Sequence, residues 1–413
     1  FKAACAAAQK AGKPVVVFKV GISAEGRKAA MTHTGALAGS AEAFDAVAGD
    51  LGVIRVDSLD DAIEALELIV HAGVPLGRNI GVLSLSGAYC GILLDAASGS
   101  ELVFPPLAEE TEAKLKELLQ TGSSVGNPAD GGFSVLTNAE AYGAAIEAFC
   151  QDPGLDVILL QAELPRETGM AASWEERFEN IDRLAAKYGK PVVVVSMYSR
   201  VFTDYTRELR ALYPHTAFVQ ESRKTVRALS HLIRWSESAA RAKELPAAER
   251  NRPLPEIAAS LRAEAKAGTT ALSEPRSKAL LRAYGIETPR EILARSLEEA
   301  KAAARDIGYP VVLKAAAPTL LHKSDLGAVA VGLADEAALA EAYARIEDNL
   351  KKGGFSDPLD GMLVCELCKG EVELVLGLHR DPEMGLVAMV GGGGVLLELA
   401  KDVAFVGLPV TPA

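Results

Sequence analysis

Apolar residues along the chain fall into two alternating patterns. Short runs at 14–20 and 53–56 have the β-branched composition of buried strands, while the stretches up to about residue 11 and from about Gly35 carry helical spacing. That alternation is the rhythm of a doubly wound α/β sheet. A second series opens with a strand at 79–85 and continues at 156–161, 191–196 and 217–220, with helical stretches between, and predicts another parallel-sheet domain.

The pattern then breaks. Residues 241–256 are charged and punctuated by Pro246, Pro253 and Pro255, as a linker would be. Beyond them come strands at 310–314 and 328–332, a helix from Asp335, and three closely spaced strands at 361–367, 372–378 and 386–390. This reads as α+β with an antiparallel component. The expected organisation is therefore 1–72 and 73–240 as two α/β regions, a linker at 241–256, and a third domain at 257–413.

Composition narrows the function classes. A chain of 413 residues is long enough for about two to four domains, each with a real core. No apolar run approaches the roughly 18 residues that would span a bilayer, so a membrane role is not expected. Fifty-five acidic against 43 basic residues give a net charge of -12, which disfavours nucleic acid as a partner. Five scattered cysteines are too few for a disulfide framework, so a reducing cytoplasm is the expected location. Cys365 and Cys368 have CxxC spacing but lie in a strand-like stretch, where residues three apart point to opposite faces. The chain opens at Phe1 with no secretory signal, and both ends read as cut.

Two of the six histidines stand among small and polar residues rather than apolar ones. His33 follows the first strand and a glycine-containing loop, and is expected where the next helix begins. A helix N-terminus presents unpaired N–H groups and partial positive charge to an anion. A histidine with its ordinary pKa of ~6.5 is a ready nucleophile towards phosphorus at neutral pH. A histidine held in a capping turn is the competing reading. His322 lies in a polar loop joining two strands, eight residues after Lys314. A strand-end lysine is an ordinary neutraliser of nucleotide phosphates. Here the competing reading is a plain surface loop. His71, His215, His231 and His379 have no comparable setting and read as structural or surface residues.

The segment Thr-His-Thr-Gly-Ala-Leu-Ala-Gly-Ser at 32–40 resembles the phosphohistidine segment of NDP-forming acyl-CoA synthetases, relatives of succinyl-CoA synthetase. Leu-His-Lys-Ser-Asp-Leu-Gly at 321–327 is similar to the second histidine loop of the same family, in its ATP-grasp domain. Gly-Val-Leu-Ser-Leu-Ser-Gly-Ala from Gly81 resembles the strand-to-helix turn of the family's second flavodoxin-like domain, and Val-Gly-Asn-Pro-Ala-Asp from Val125 its Gly-Asn-Pro turn. Nearly the whole chain is covered, with the motifs in the family's order.

The resemblance implies flavodoxin-like doubly wound domains followed by an α+β ATP-grasp domain. It implies an acid–CoA ligase that turns a carboxylate, CoA and ATP into acyl-CoA, ADP and phosphate through acyl phosphate and phosphohistidine, with ATP/ADP, Mg2+ and CoA as cofactors. His33 and His322 would carry the phosphoryl group; Thr34, Gly35, Ser86, Gly87 and Ala88 would bind it. Lys314, Glu366, Glu373 and Arg380 would serve the nucleotide, although a strand glutamate and a turn arginine such as the last two are often structural. The family's CoA-binding domain, the carboxylate that orients the first histidine and the magnesium-binding segment have no counterpart in these residues. The chain is thus expected to be a fragment, or one partner of a split protein, in which a homo-oligomer or a second subunit supplies the rest. Two other readings stay open: a catalytically silent, acyl-CoA- or nucleotide-sensing region of a fused protein lysine acetyltransferase, and an ATP-grasp ligase without a phosphoenzyme.

Overall fold

The computed structural model describes the chain apart from residues 35–39, 75, 120–122, 168–171, 245–253, 318, 321–322, 371, 394–402, 409 and 411–413. Its contacts divide it into two units, Phe1–Ala248 together with Leu374–Ala413, and Glu249–Glu373.

In the first unit, β1 (Val15–Phe18) and β2 (Val53–Val56) pair in parallel. A five-stranded sheet follows, built from β3 (Ile80–Ser84), β4 (Ala129–Asp130), β5 (Val157–Gln161), β6 (Val192–Ser196) and β7 (Thr216–Gln220). All its pairings are parallel and the order is β4-β3-β5-β6-β7. This is the flavodoxin-like order, in which the chain changes direction between the first and third strands. Alternation along the strands feeds two cores. Val82, Val157, Leu159, Val193 and Val195 face one side with Tyr89, Leu93 and Leu232. Leu83, Ile158, Leu160 and Val194 face the other with Ile146, Phe149 and Phe178.

Packing is continuous across residues 72 and 73. Ile54, Val56, Ala65 and Leu68 belong to the same apolar cluster as Ile80 and Val82. The helix Leu59–Glu67 also closes the outer edge of the sheet, because Glu67 accepts the Phe218 N–H at 3.0 Å and Glu64 that of Gln220 at 3.2 Å. Edge N–H groups satisfied this way are not left as a template for another chain.

The three strands β12 (Leu374–Asp381), β13 (Gly385–Gly392) and β14 (Val403–Gly407) form a separate antiparallel sheet. By its contacts it gathers with the first unit. The reason is local packing: Phe44, Val47 and Ala48 of the helix Ala41–Asp50 share a buried cluster with Met384 and Val387. Strand periodicity reports a strand, not the partner it packs against.

The second unit is an antiparallel sheet of β8 (Glu291–Ala294), β9 (Val311–Ala316), β10 (Val329–Leu333) and β11 (Gly361–Glu366), ordered β10-β9-β11-β8. The alanine-rich helix Leu297–Ile307 and the helix Glu336–Lys352 cover one face through Ala300, Ala304, Leu339 and Ile346, packed on Val311, Leu313 and Val364. The other face carries Val312, Ala316, Leu363 and Cys365. Cys365 is buried and Cys368 exposed, and both are free thiols. Of the expected linker, residues up to Glu244 continue the long helix Ser222–Glu244, and Pro255 starts the next helix, Pro255–Lys266.

Candidate functional site

At the carboxyl end of β3 the chain turns through Leu85 and Ser86 into the helix Gly87–Ala97. This is the crevice where flavodoxin-like sheets hold ligands. The turn is braced from below. The Ser84 hydroxyl donates to the Ser86 carbonyl at 2.8 Å and accepts the Ser86 N–H at 3.0 Å, while the Leu85 N–H donates to Gln161 Oε1 at 3.2 Å, at the end of β5. Ser86 is the N-cap, yet its side chain makes no capping bond, and Gly87 and Ala88 are exposed. First-turn N–H groups have no partner inside a helix, so these amides suit an anion.

Gly87 has a steric reason to be glycine, since a Cβ there would come within 2.6 Å of Asp130 Oδ2. Asp130 is itself tied down by the Gly132 N–H at 3.0 Å. On the flank, β4 covers only Leu83 and Ser84 of β3. Asn127 takes over where it stops: its Oδ1 accepts the Val82 N–H at 2.9 Å, and its Nδ2 donates to the carbonyls of Ile80 and Pro105 at 2.7 and 3.0 Å. The Gly-Asn-Pro turn thus serves the turn by completing the strand beneath it. Nearby, burial and, to a lesser degree, the charge of Asp130 push the Cys90 thiol up, against a hydrogen bond with Ser84.

His33 requires a correction. It does not stand at the start of a helix; its main chain lies in the last turn of the helix Ala24–Thr34, with Thr34 at its end. Ser23 explains the difference, because its hydroxyl accepts the Gly26 N–H at 2.9 Å and starts a helix inside what reads as a loop. Helix C-termini carry partial negative charge, so this helix offers a phosphoryl group no help. The next helix begins at Ala41, capped by the Ser40 hydroxyl. Gly35 lies outside the described residues, as does His322. Asp381 anchors the stretch after the histidine, accepting the N–H groups of Ser40, Glu383 and Met384 at 3.0, 2.8 and 2.7 Å. Burial alone would raise its pKa, but these backbone bonds outweigh it and hold the carboxyl below its usual range.

Lys314 lies mid-strand in β9, on the face away from the two covering helices. It donates to Glu274 Oε1 at 2.9 Å, and Lys323 donates to Oε2 at 2.8 Å. Lys278 lies 3.0 Å from Oε1 and also binds Glu291. Burial raises the Glu274 pKa, yet hydrogen bonds from Lys314, Lys323 and Lys278 reverse the balance and bring it to about 2. Sequence reading missed Glu274, Lys278, Lys323 and Glu291. Lys323 sits inside the histidine motif, but Glu274, in the first turn of the helix Glu274–Ala283, reaches Lys314 only through the fold.

Glu366 ends β11 on the side of Met362 and Val364, opposite Lys314. Its carboxylate accepts the Arg290 N–H at 3.1 Å. Glu373 lies exposed just before β12, and Arg380 lies exposed within β12, in the other unit from Lys314. Within the second unit the structure therefore joins Lys314 to Lys323 and not to Glu366. Among the described residues, Glu274, Glu291 and Cys365 alone cluster closely enough to hold a metal. They do not fit magnesium, which takes oxygen ligands in octahedral array: one ligand is a thiol and the Lys278 ammonium already bridges the two carboxylates. A cleft of about 570 Å³ lined by Arg55, His231, Arg234 and Trp235 lies elsewhere in the first unit. Arg55 is already paired with Asp45 and Asp57, and Arg234 with Glu101.

Comparison with known proteins defines the class. Residues 263–413 match the ATP-grasp domain family, and residues 1–69 match the succinyl-CoA ligase like flavodoxin domain. The chain is 30% identical over 407 residues to an ADP-forming 4-hydroxybutyrate–CoA ligase of Nitrosopumilus maritimus, covering 98% of this chain and 56% of that protein. It is 33% identical over 411 residues to ADP-forming acetate–CoA ligase I of Archaeoglobus fulgidus, covering 97% and 56%. It is 37% identical over 144 residues to the beta subunit of ADP-forming acetate–CoA ligase II of Pyrococcus furiosus, covering 35% and 61%. Along nearly its whole length the chain is similar to ADP-forming acyl-CoA synthetases. It spans about half the length of the full-length relatives it matches. No helix among the described residues is long and apolar enough to cross a membrane.

Proposed function

We propose that the intact protein is an ADP-forming acid–CoA ligase, converting a carboxylate, CoA and ATP to acyl-CoA, ADP and phosphate. The observation that carries this reading is the pairing, in one chain, of a braced helix N-terminus at Ser86–Ala88 with a lysine pair, Lys314 and Lys323, next to the second histidine motif. Each suits a phosphoryl group by different means. The relatives named above are ADP-forming CoA ligases, which supports the same chemistry here.

In this reading carboxylate, CoA and the magnesium nucleotide are substrates. His322 takes the γ-phosphoryl from ATP, releasing ADP, and His33 exchanges a phosphoryl group with the acyl phosphate. Thr34, Gly35, Ser86 and the amides of Gly87 and Ala88 hold that phosphoryl in place. Lys314 neutralises nucleotide charge, with Glu366, Glu373 and Arg380 as lesser contacts. The division into 1–72, 73–240, 241–256 and 257–413 is retained as a proposal for sequence modules. A separate beta subunit among the relatives favours a partner that completes the site. We place the protein in the cytoplasm. Nothing in the comparisons favours the silent sensing region of a lysine acetyltransferase.

The test is labelling of the intact protein with γ-labelled ATP. An acid-labile, base-stable phosphoenzyme is expected. His322→Ala removes the label everywhere, whereas His33→Ala leaves His322 labelled and abolishes acyl-CoA formation. Label that survives loss of both histidines sinks the relay.

A further inference from the structure

Lys323 directly follows His322, and it is tied to Lys314 through one carboxylate. Glu274 spends Oε2 on Lys323 and Oε1 on Lys314, at 2.8 and 2.9 Å. Around it three ammonium groups, Lys278, Lys314 and Lys323, face two carboxylates, Glu274 and Glu291, which leaves one net positive charge. A nucleotide thus meets lysines whose charge is largely neutralised. Carboxylate and phosphate oxygens compete for the same ammonium donors with the same short geometry.

Lys278 breaks the symmetry of the cluster. It touches Glu274 at 3.0 Å and is held independently by Glu291. If Glu274 releases Lys323, its charge is still met by Lys278. A half-buried carboxylate left with no partner would resist such an exchange, but this one is not left alone.

We infer that Glu274 is a resident counter-anion standing where a nucleotide phosphate group goes between Lys314 and Lys323, and that nucleotide displaces it from Lys323, which becomes a second phosphate-binding lysine. The inference rests on the reading of Lys314 as a nucleotide contact. Glu274 then sets how tightly nucleotide is held, because each binding event must first undo a bond the protein makes to itself.

The test is calorimetric titration of Mg-ADP into the intact protein and its variants. Glu274→Gln, which keeps shape but removes the competing charge, is expected to tighten Mg-ADP binding by about three- to tenfold, since more of the lysine pair is then available. Lys323→Met weakens binding, and the gain from Glu274→Gln shrinks in the Lys323→Met background. Should Glu274→Gln fold poorly, Glu274→Asp gives the same direction, being too short to span both lysines. Weaker or unchanged binding in a folded Glu274→Gln variant would make Glu274 an orienting or structural residue and overturn the inference alone. Wild-type protein that binds no Mg-ADP overturns this inference together with the nucleotide reading of Lys314.

Discussion

The two regions of this chain proposed to hold anions are built from opposite materials. At the end of β3 the turn Leu85–Ser86 carries no cation; it is shaped by hydroxyl, amide and main-chain bonds from Ser84, Gln161 and Asn127, and it leads into the first-turn N–H groups of Gly87 and Ala88. On β9 the site is built from lysines already bound to Glu274. Oriented dipoles hold an anion without a counter-charge that must be moved away. Lysines hold it more strongly, but a resident carboxylate has to give way. A site that hands its phosphoryl group onward suits the first design, and a site that grips a polyanionic nucleotide suits the second.

The sharpest way to break the comparison is to remove the scaffold of the neutral site. Asn127→Leu leaves the Val82 N–H and the Ile80 carbonyl without their side-chain partner in a buried strand. The expected loss is about 2–4 kcal/mol of stability, as for buried polar groups stripped of partners. It is read by urea unfolding and should be insensitive to salt. A loss that shrinks in high salt would mean that charge, not amide bonding, supports this turn.

Next in size is the charged site. Lys314→Ala should weaken Mg-ADP binding by about 10–100-fold, the range for hydrogen bonds to charged groups. The effect should shrink with added salt, as far as the half-exposed site is screened. Phosphorylation of His33 from acyl-CoA and phosphate should remain largely intact in the same intact protein. Equal loss of both half-reactions would make Lys314 a structural residue.

The parts legible in the sequence are those written in short-range pattern. Val192–Ser196 and Val157–Gln161 are unbroken apolar runs bounded by helical stretches, so their place in a buried parallel sheet follows from period and composition. Ser86, Gly87 and Lys314 stand in or beside motifs, and the fold puts them at a strand end and on a strand. Glu274 was illegible because it lies 40 residues from Lys314, and only the antiparallel sheet and the helix over it bring them together. β8 was missed since Glu291–Ala294 is four residues long and mostly unburied. The helix containing His33 was missed because Ser23 caps it after a glycine that reads as a turn. The placement of β12 to β14 depended on Phe44 and Val47, more than 300 residues away in sequence by the span from Phe44 to Met384.

The smallest expected effect contrasts two half-buried or buried glutamates, one per unit. Glu64 is raised from 4.5 to about 7, chiefly by burial, with the Gln220 N–H and the charges of Lys224 and Arg210 only partly offsetting it. Glu274 is lowered from 4.5 to about 2, because three lysines overcome its burial. The signs differ accordingly. For Glu64 the folded state holds its proton more tightly than the unfolded state, so its contribution to stability is complete below about pH 4.5 and is lost as pH rises through about 7. For Glu274 the contribution is present above about pH 4.5 and is lost as pH falls towards about 2. Glu64→Gln should therefore flatten the slope of stability between pH 5 and 7.5 by about 1 kcal/mol, and leave the acid limb alone. Glu274→Gln should soften the acid limb by a similar amount and leave the neutral range unchanged in slope. Thermal unfolding of the two variants across pH 3 to 8 makes the comparison. If Glu64→Gln alters only the acid limb, Glu64 is ionised in the folded protein at neutral pH, and the contrast between a carboxylate held by burial and one held by lysines fails at its first member.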